Sequence, residues 1–355
     1  MAVLQDKGSS RVELHNVSRF FGDVKAVNEV SFSIEEGEFF SLLGPSGCGK
    51  TTTLRLIAGL DRPDAGTITI GQEGVAGEKV WVGPEKRGIG IVFQDYALFP
   101  HMTVEQNIAF GLDGLNKEEA RQRTEEMLTV VGLVGLGKRY PHEISGGQCQ
   151  RVALARSLAP LPKVILLDEP FSNLDADLRE ELRNETRRIL KERGTTTILV
   201  THDQEEAFSL SDRVGVLNLG RLEQIGTPAE IYHHPSTRFV ADFVGKADFV
   251  AGSVEGGVVV SDIGSFPLNG EKINDSNAVE IMIRPDDVDF VEDGGGNATI
   301  VEARFLGASI MYIMQLSNGK VLHSLKPSTK AIPTGAKVQI KVDAAHIVLF
   351  PKAVG

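Results

Sequence analysis

Eight consecutive residues, Gly44-Pro45-Ser46-Gly47-Cys48-Gly49-Lys50-Thr51, match the phosphate-binding loop G-x-x-x-x-G-K-[ST]. Glycines there let backbone N–H groups wrap a phosphate. Lys50 brings positive charge to the β and γ phosphates, and Thr51 offers a hydroxyl to Mg²⁺. The helix that follows, which begins with Lys50, Thr51 and Thr52, adds the partial positive charge of its N-terminus. Asp168 and Glu169 follow the apolar run Val164-Ile165-Leu166-Leu167. Two carboxylates then stand at the C-terminal end of a strand, where parallel sheets bind their ligands. Asp168 would hold Mg²⁺ through water, and Glu169 would orient or polarise an attacking water. By itself such a run is a weak signal; downstream of a phosphate loop it is a strong one. Ser145-Gly146-Gly147-Gln148 supplies a second phosphate-competent helix N-terminus, with Ser145 as cap and the glycines leaving amides open. In isolation that tetrapeptide would be a plain N-cap.

Regular elements must hold these groups. Val12 to Val17 alternates apolar and polar residues, and Val30 to Ile34 does the same, so both read as strands. Phe39 to Leu43 is a short apolar strand ending at the glycine loop, and a helical pattern runs from Lys50 to Leu60. Asn116 caps a helix reaching Val131, whose apolar face is Met127, Leu128 and Val131. The runs Val164–Leu167 and Thr197–Thr201 read as strands buried on both faces. Leu178 to Lys191 is a charged amphipathic helix. Strands alternating with helices predict an α/β domain around a parallel sheet. After Phe243 the texture changes to short strands at Val258–Val260, Glu280–Ile283, Ile310–Leu316 and Val338–Val342. Ser317-Asn318-Gly319 marks a hairpin turn, and Gly294-Gly295-Gly296 reads as a flexible hairpin loop. The expected division is residues 1–243, with a helical subdomain at about 95–160, and a small β-barrel or sandwich over 244–355.

The chain has 355 residues, enough for two domains and for a core that needs no disulfide or metal staple. Lys and Arg number 37 against 48 Asp and Glu, a net charge of −11. That argues against a nucleic-acid coat, whose affinity comes mostly from basic side chains facing phosphates. No apolar run approaches the ~18 residues of a membrane span. Met1 to Arg11 lacks an apolar signal core, so export is not expected. Two cysteines, Cys48 and Cys149, form no metal spacing and fit a reducing compartment.

Taken together and in this order, the motifs resemble the ATP-binding cassette (ABC) ATPases over roughly residues 1 to 243. Gly44 to Thr51 resembles the Walker A loop, Gln94 the Q-loop, and Ile144-Ser145-Gly146-Gly147-Gln148 the signature. Asp168-Glu169 resembles Walker B, Asn173-Leu174-Asp175 the D-loop, and His202 the switch histidine. Ile144 and Cys149 depart mildly from the family pattern. The resemblance implies a P-loop fold binding ATP and Mg²⁺, the metal held by Thr51, Gln94 and Asp168. Phe21 would stack on adenine, with Phe20 the competing candidate. Glu169, His202, Gln94 and Lys50 would be catalytic. Two copies would pair head to tail, so Ser145 and Gly147 of one would close on the γ-phosphate held by the other; Gln148 and Asp175 are further nucleotide-binding residues that the resemblance implies.

Residues 95–104, largely apolar and broken by Pro100, correspond to the family's groove for a permease coupling helix. Buried core is the competing reading for Leu98 and Phe99. Arg238 to Gly245 and the β tail resemble importer ATPases with a regulatory OB-like domain. Ile283-Arg284-Pro285-Asp286-Asp287-Val288 and Phe305-Leu306-Gly307 are its landmarks. These likenesses imply transmembrane permease partners, indirectly a substrate-binding protein, no nucleic acid, and a peripheral place on the cytoplasmic membrane face. Tyr140-Pro141-His142-Glu143 and Pro170 to Asp175 rank ferric iron first as cargo, then polyamines, then sugars. Finally, Cys48 lies beside Lys50 and a helix N-terminus, which should lower its thiol pKa and make it reactive.

Overall fold

The computed structural model describes residues 11–267, 278–343 and 347–351. Contacts divide the chain into two compact units, residues 1–228 and 229–355. The texture of the sequence placed the change later, after Phe243.

In the first unit, β1 (Val12–Phe21), β2 (Val24–Ile34), β4 (Ala65–Ile70) and β5 (Glu73–Ala76) form an antiparallel sheet in the order β2-β1-β4-β5. The second sheet is built on β3 (Phe39–Leu43), β6 (Ile89–Val92), β7 (Val164–Asp168), β8 (Thr196–Thr201), β9 (Arg213–Asn218) and β10 (Arg221–Gly226). Its order is β10-β9-β3-β8-β7-β6, parallel except for the β9–β10 hairpin. Its central strands are apolar at consecutive positions because both faces are covered. Phe39, Ile165 and Leu167 enter the core on one face, while Phe40, Leu42, Val164 and Leu166 enter the core on the other. Each such side chain contributes about 1.5–3 kcal/mol when removed from water.

Helix α1 (Lys50–Ala58) packs against β7 and β8. It is shorter than the run to Leu60, because Gly59 takes a left-handed φ of 81° and ends it. On the Phe39 side, α2 (Val104–Ala109), α3 (Lys117–Val130) and α4 (Gly146–Leu158) pack on one another around Ile108, Met127, Val131 and Val152. Asn116 caps α3 in a full capping box with Glu119. Helices α5 (Ala176–Glu192) and α6 (Gln204–Leu210) follow β7 and β8.

The boundary falls at the first residue of α7 (Pro228–His233), so the second unit takes in the rest of α7 and then α8 (Arg238–Phe243). The buried Arg284 guanidinium donates to the carbonyls of Tyr232, Ala241 and Gly245, tying both helices to the strands. Two five-stranded antiparallel sheets share one core containing Ile281, Phe290, Ile300, Tyr312 and Leu322. One sheet joins β11 (Asp248–Glu255), β12 (Val258–Ser261), β13 (Gly264–Pro267), β14 (Ala278–Ile283) and β20 (Val348–Pro351). The other joins β15 (Val288–Glu292), β16 (Ala298–Phe305), β17 (Ser309–Leu316), β18 (Val321–Pro327) and β19 (Lys337–Val342). The Ser317–Gly319 turn closes the β17–β18 hairpin, with Gly319 at φ 83°. Gly294–Gly296 does not form a hairpin: β15 and β16 both pair with β19, not with each other. Gly296 is required by close approach instead, since a Cβ there would lie 2.2 Å from the Val338 backbone.

Candidate nucleotide site

The phosphate-loop residues converge on a cleft of about 490 Å³ at the C-terminal edge of the parallel sheet. Ser46, Gly47, Gly49, Lys50, Thr51, Thr52 and Glu169 line it. Gly47 and Gly49 take φ of 79° and 105°, conformations that side chains rarely adopt. At Gly49 a Cβ would also lie 2.1 Å from the Ala26 carbonyl, and at Gly44 it would lie 2.3 Å from that of Leu217. The loop is thus threaded between two carbonyls, which sets its course. Lys50 is buried and donates to the carbonyls of Gly44 (2.7 Å) and Pro45 (3.0 Å). Gly49 caps α1 without a side-chain hydrogen bond, and the first turn carries no acidic residue. That leaves a helix N-terminus suited to an anion.

Thr51 Oγ1 donates to Asp168 Oδ1 at 3.3 Å. Burial pushes the Asp168 carboxyl above its usual range and the Glu169 charge adds to this, while Thr51 and Lys50 oppose it. A hydroxyl beside a desolvated carboxylate, next to a phosphate loop, is the hard-oxygen donor set that Mg²⁺ prefers. The residues therefore fit both a nucleotide and its metal.

Glu169 has φ 45° and its N–H donates to the Val200 carbonyl. Its Oε2 lies 3.1 Å from His202 Nδ1. His202 follows β8 and is held from behind. Thr201 donates to Glu206 at 2.6 Å and accepts from the Asp203 N–H, and Asp203 caps α6. Arg179 of α5 adds a bond to the Leu174 carbonyl at 2.9 Å and an ion pair to Asp203 at 3.7 Å. Arg179 was not singled out in the sequence, because nothing local marks Asp203, on the cap of another helix, as its partner.

The remaining expected residues sit apart from the cleft lining. Ser145 caps α4, accepting from the Gln148 N–H at 3.3 Å while Gln148 Oε1 accepts from the Ser145 N–H at 3.0 Å. Gly147 has a packing reason beyond open amides: a Cβ there would lie 3.0 Å from Leu178 and from Leu182 of α5. Asp175 caps α5 through the Leu178 N–H. Gln94 is exposed, and its carbonyl accepts from Asn173 at 2.9 Å. Phe21 is 47% exposed and Phe20 38%; neither lines the cleft, although the neighbouring Val24 does. Arg19 lies over the Phe21 ring at 4.6 Å. Leu98 packs against the core, while Phe99 packs on Phe110 with centroids 4.4 Å apart.

Cys48 corrects the sequence reading. Its side chain is 2% exposed, and burial pushes the thiol up; the charge and hydrogen bonds of Lys50 offset this only in part. The thiolate forms at higher pH than in a free thiol. Alkylation of the native protein at pH 8 is therefore expected to be at least about tenfold slower than in urea, with the rate still rising above pH 9. Equal native and unfolded rates at pH 8 would show that burial does not protect it. Cys149 is half-buried with its thiol likewise pushed up by burial.

Residues 27–172 match the ABC transporter family, and residues 281–350 match the TOBE domain. The spermidine/putrescine import ATP-binding protein PotA of Rubrobacter xylanophilus is 43% identical over 96% of this chain and 93% of its own length. The sulfate/thiosulfate import ATP-binding protein CysA 2 of Chromobacterium violaceum is 50% identical over 79% of this chain and 76% of its own. The Fe(3+) ions import ATP-binding protein FbpC of Fusobacterium nucleatum is 40% identical over 96% and 94%. Among solved structures, a dimeric ATP-binding cassette in a post-hydrolysis state with ADP and Pi is similar at TM-score 0.54 and 34% identity. That similarity covers 61% of this chain and 98% of the other.

Proposed function

The chain belongs to the ABC transporter family as an ATP-binding subunit of importer type with a TOBE domain, and on that premise we propose how it works and what it serves. It binds and hydrolyses ATP. The observation that carries the mechanism is that Glu169 lines the cleft together with the phosphate loop and lies 3.1 Å from His202, all three following strands of one parallel sheet.

When ATP enters, Lys50 exchanges its loop carbonyls for the β and γ phosphates, and the α1 amides take the β-phosphate. Thr51, Asp168 and Gln94 would hold Mg²⁺, which would neutralise charge on the phosphate oxygens. Glu169 accepts a proton from water as the water oxygen bonds to the γ-phosphorus. The bond from that phosphorus to the bridging oxygen breaks, giving ADP and phosphate. His202 orients Glu169 and contacts the γ-phosphate. Phe21 carries the adenine. Ser145, Gly147, Gln148 and Asp175 come from a second copy, head to tail, so ATP closes the dimer and hydrolysis reopens it. The dimeric relative with ADP and phosphate supports this reading. We assign residues 1–243 to the ATPase part and 244–355 to the regulatory part, although by contacts α7 and α8 group with the latter.

In the cell this subunit would sit on the cytoplasmic face of the membrane, bound to permease subunits and served by a substrate-binding protein. No helix among the described residues is long and apolar enough to cross a membrane. The proposed cargo is a polyamine, supported by relatives of that name aligned over nearly the whole chain. Ferric iron, ranked first by Tyr140-Pro141-His142-Glu143, is the second reading and is supported by the iron-import relative. Purification of the tagged chain from its native membranes tests both. A permease and a binding protein that takes spermidine are expected. A partner protein that binds Fe³⁺ or sulfate instead would replace the cargo, and recovery without any permease would remove the transport role.

A further inference from the structure

Just past Gln94, two consecutive residues adopt left-handed backbone: Tyr96 at φ 62° and Ala97 at φ 44°. Neither is glycine, and such conformations persist only where the surroundings impose them. One guanidinium holds the carbonyls of both residues. Arg156, in the last turn of α4, donates Nη1 to the Ala97 carbonyl at 2.6 Å and Nη2 to the Tyr96 carbonyl at 2.9 Å. Its Cζ lies 5.6 Å from the Phe99 ring centroid, so the same side chain also faces the next turn of the segment. A planar fork suits this pair of carbonyls; an ammonium does not match it.

The helix that carries Arg156 begins at Ser145. On the other side, the Gln94 carbonyl is held by Asn173, four residues beyond Glu169. Gln94 is thus suspended between the segment that follows Glu169 and the helix that Ser145 caps. We propose that Arg156 is a positioning residue for ATP hydrolysis: it locks the Tyr96–Ala97 turn to α4, so that Gln94 and Ser145 are presented as one unit. The proposal rests on the roles given above to Gln94 and Ser145. Arg156 itself does not line the nucleotide cleft.

The test is steady-state ATPase kinetics on the purified full chain. Arg156→Ala is expected to lower kcat about tenfold with KM for ATP within about twofold. Arg156→Lys should recover only part of the loss. Glycine adopts φ 44° without strain, so adding Ala97→Gly to Arg156→Ala should return kcat to within about threefold of wild type. A general packing role for Arg156 would not be rescued in this way, so an unrescued loss overturns the proposal, as does an unchanged kcat. If Arg156→Ala fails to fold by thermal melting, Arg156→Lys with and without Ala97→Gly makes the same comparison. Gln94→Ala separates the two layers. Full activity there would overturn the role of Gln94, whereas loss there with normal Arg156→Ala kinetics would overturn the brace alone.

Discussion

Replacing Glu169 by Gln is expected to cut ATP turnover by about 10²–10⁴-fold while leaving nucleotide binding in place. The amide keeps the size of the carboxylate but cannot accept the proton from water. Binding should be spared because the phosphate contacts proposed above belong to the loop and α1, not to Glu169. The backbone at residue 169 is held by the bond to Val200, so the substitution should not disturb the loop. His202 also keeps a hydrogen-bond acceptor, the amide oxygen, at the place where it now meets Oε2. Unhydrolysed ATP should then accumulate between two copies and trap the dimer. Phosphate release and equilibrium binding of ATP measure the two halves of this result. Turnover near the wild-type rate would remove Glu169 as the base.

Ser145→Arg is expected to spare ATP binding by one subunit yet lower turnover by at least about 10²-fold, comparable to the loss of a preorganised donor to a developing anion. Ser145 is exposed at the start of α4 and does not line the cleft of its own chain. A long side chain there has room in a single subunit and, in the proposed head-to-tail dimer, would project into the closing interface. Loss of the cap costs about 1 kcal/mol of stability as well, so a melting curve must accompany the kinetics. ATP-driven dimerisation that proceeds normally in this variant would count against a role in the second copy's site.

The phosphate loop was legible because its glycines, lysine and threonine are local and their spacing is fixed by one ligand. The Asn116 cap was legible for the same reason, since its partner Glu119 is three residues away. Cys48 was misread because proximity to Lys50 shows in the sequence, while the burial that outweighs it arises from folding. Gly147 looked like an amide donor alone; the leucines that exclude a Cβ come from α5, about thirty residues on. Gly294–Gly296 looked like a hairpin because sequence neighbours usually pair, and here β19 intervenes between the two strands. Arg156 had no local signal, because its hydrogen-bond partners are carbonyls, which every residue carries, and Arg179 had none because the carboxylate it meets lies on the cap of another helix.

The most direct test of the shared site mixes two defective chains, Glu169→Gln and Ser145→Ala, in equal amounts. Each homodimer lacks one part of both sites. A mixed head-to-tail dimer has one site built from the intact Glu169 of one chain and the intact Ser145 of the other. The account predicts ATPase activity well above the mean of the separate variants, rising toward roughly a quarter of the wild-type rate, because half the dimers are mixed and each has one intact site. Activity equal to that mean, with subunit exchange verified by labelled chains, would contradict it and make each cassette complete by itself.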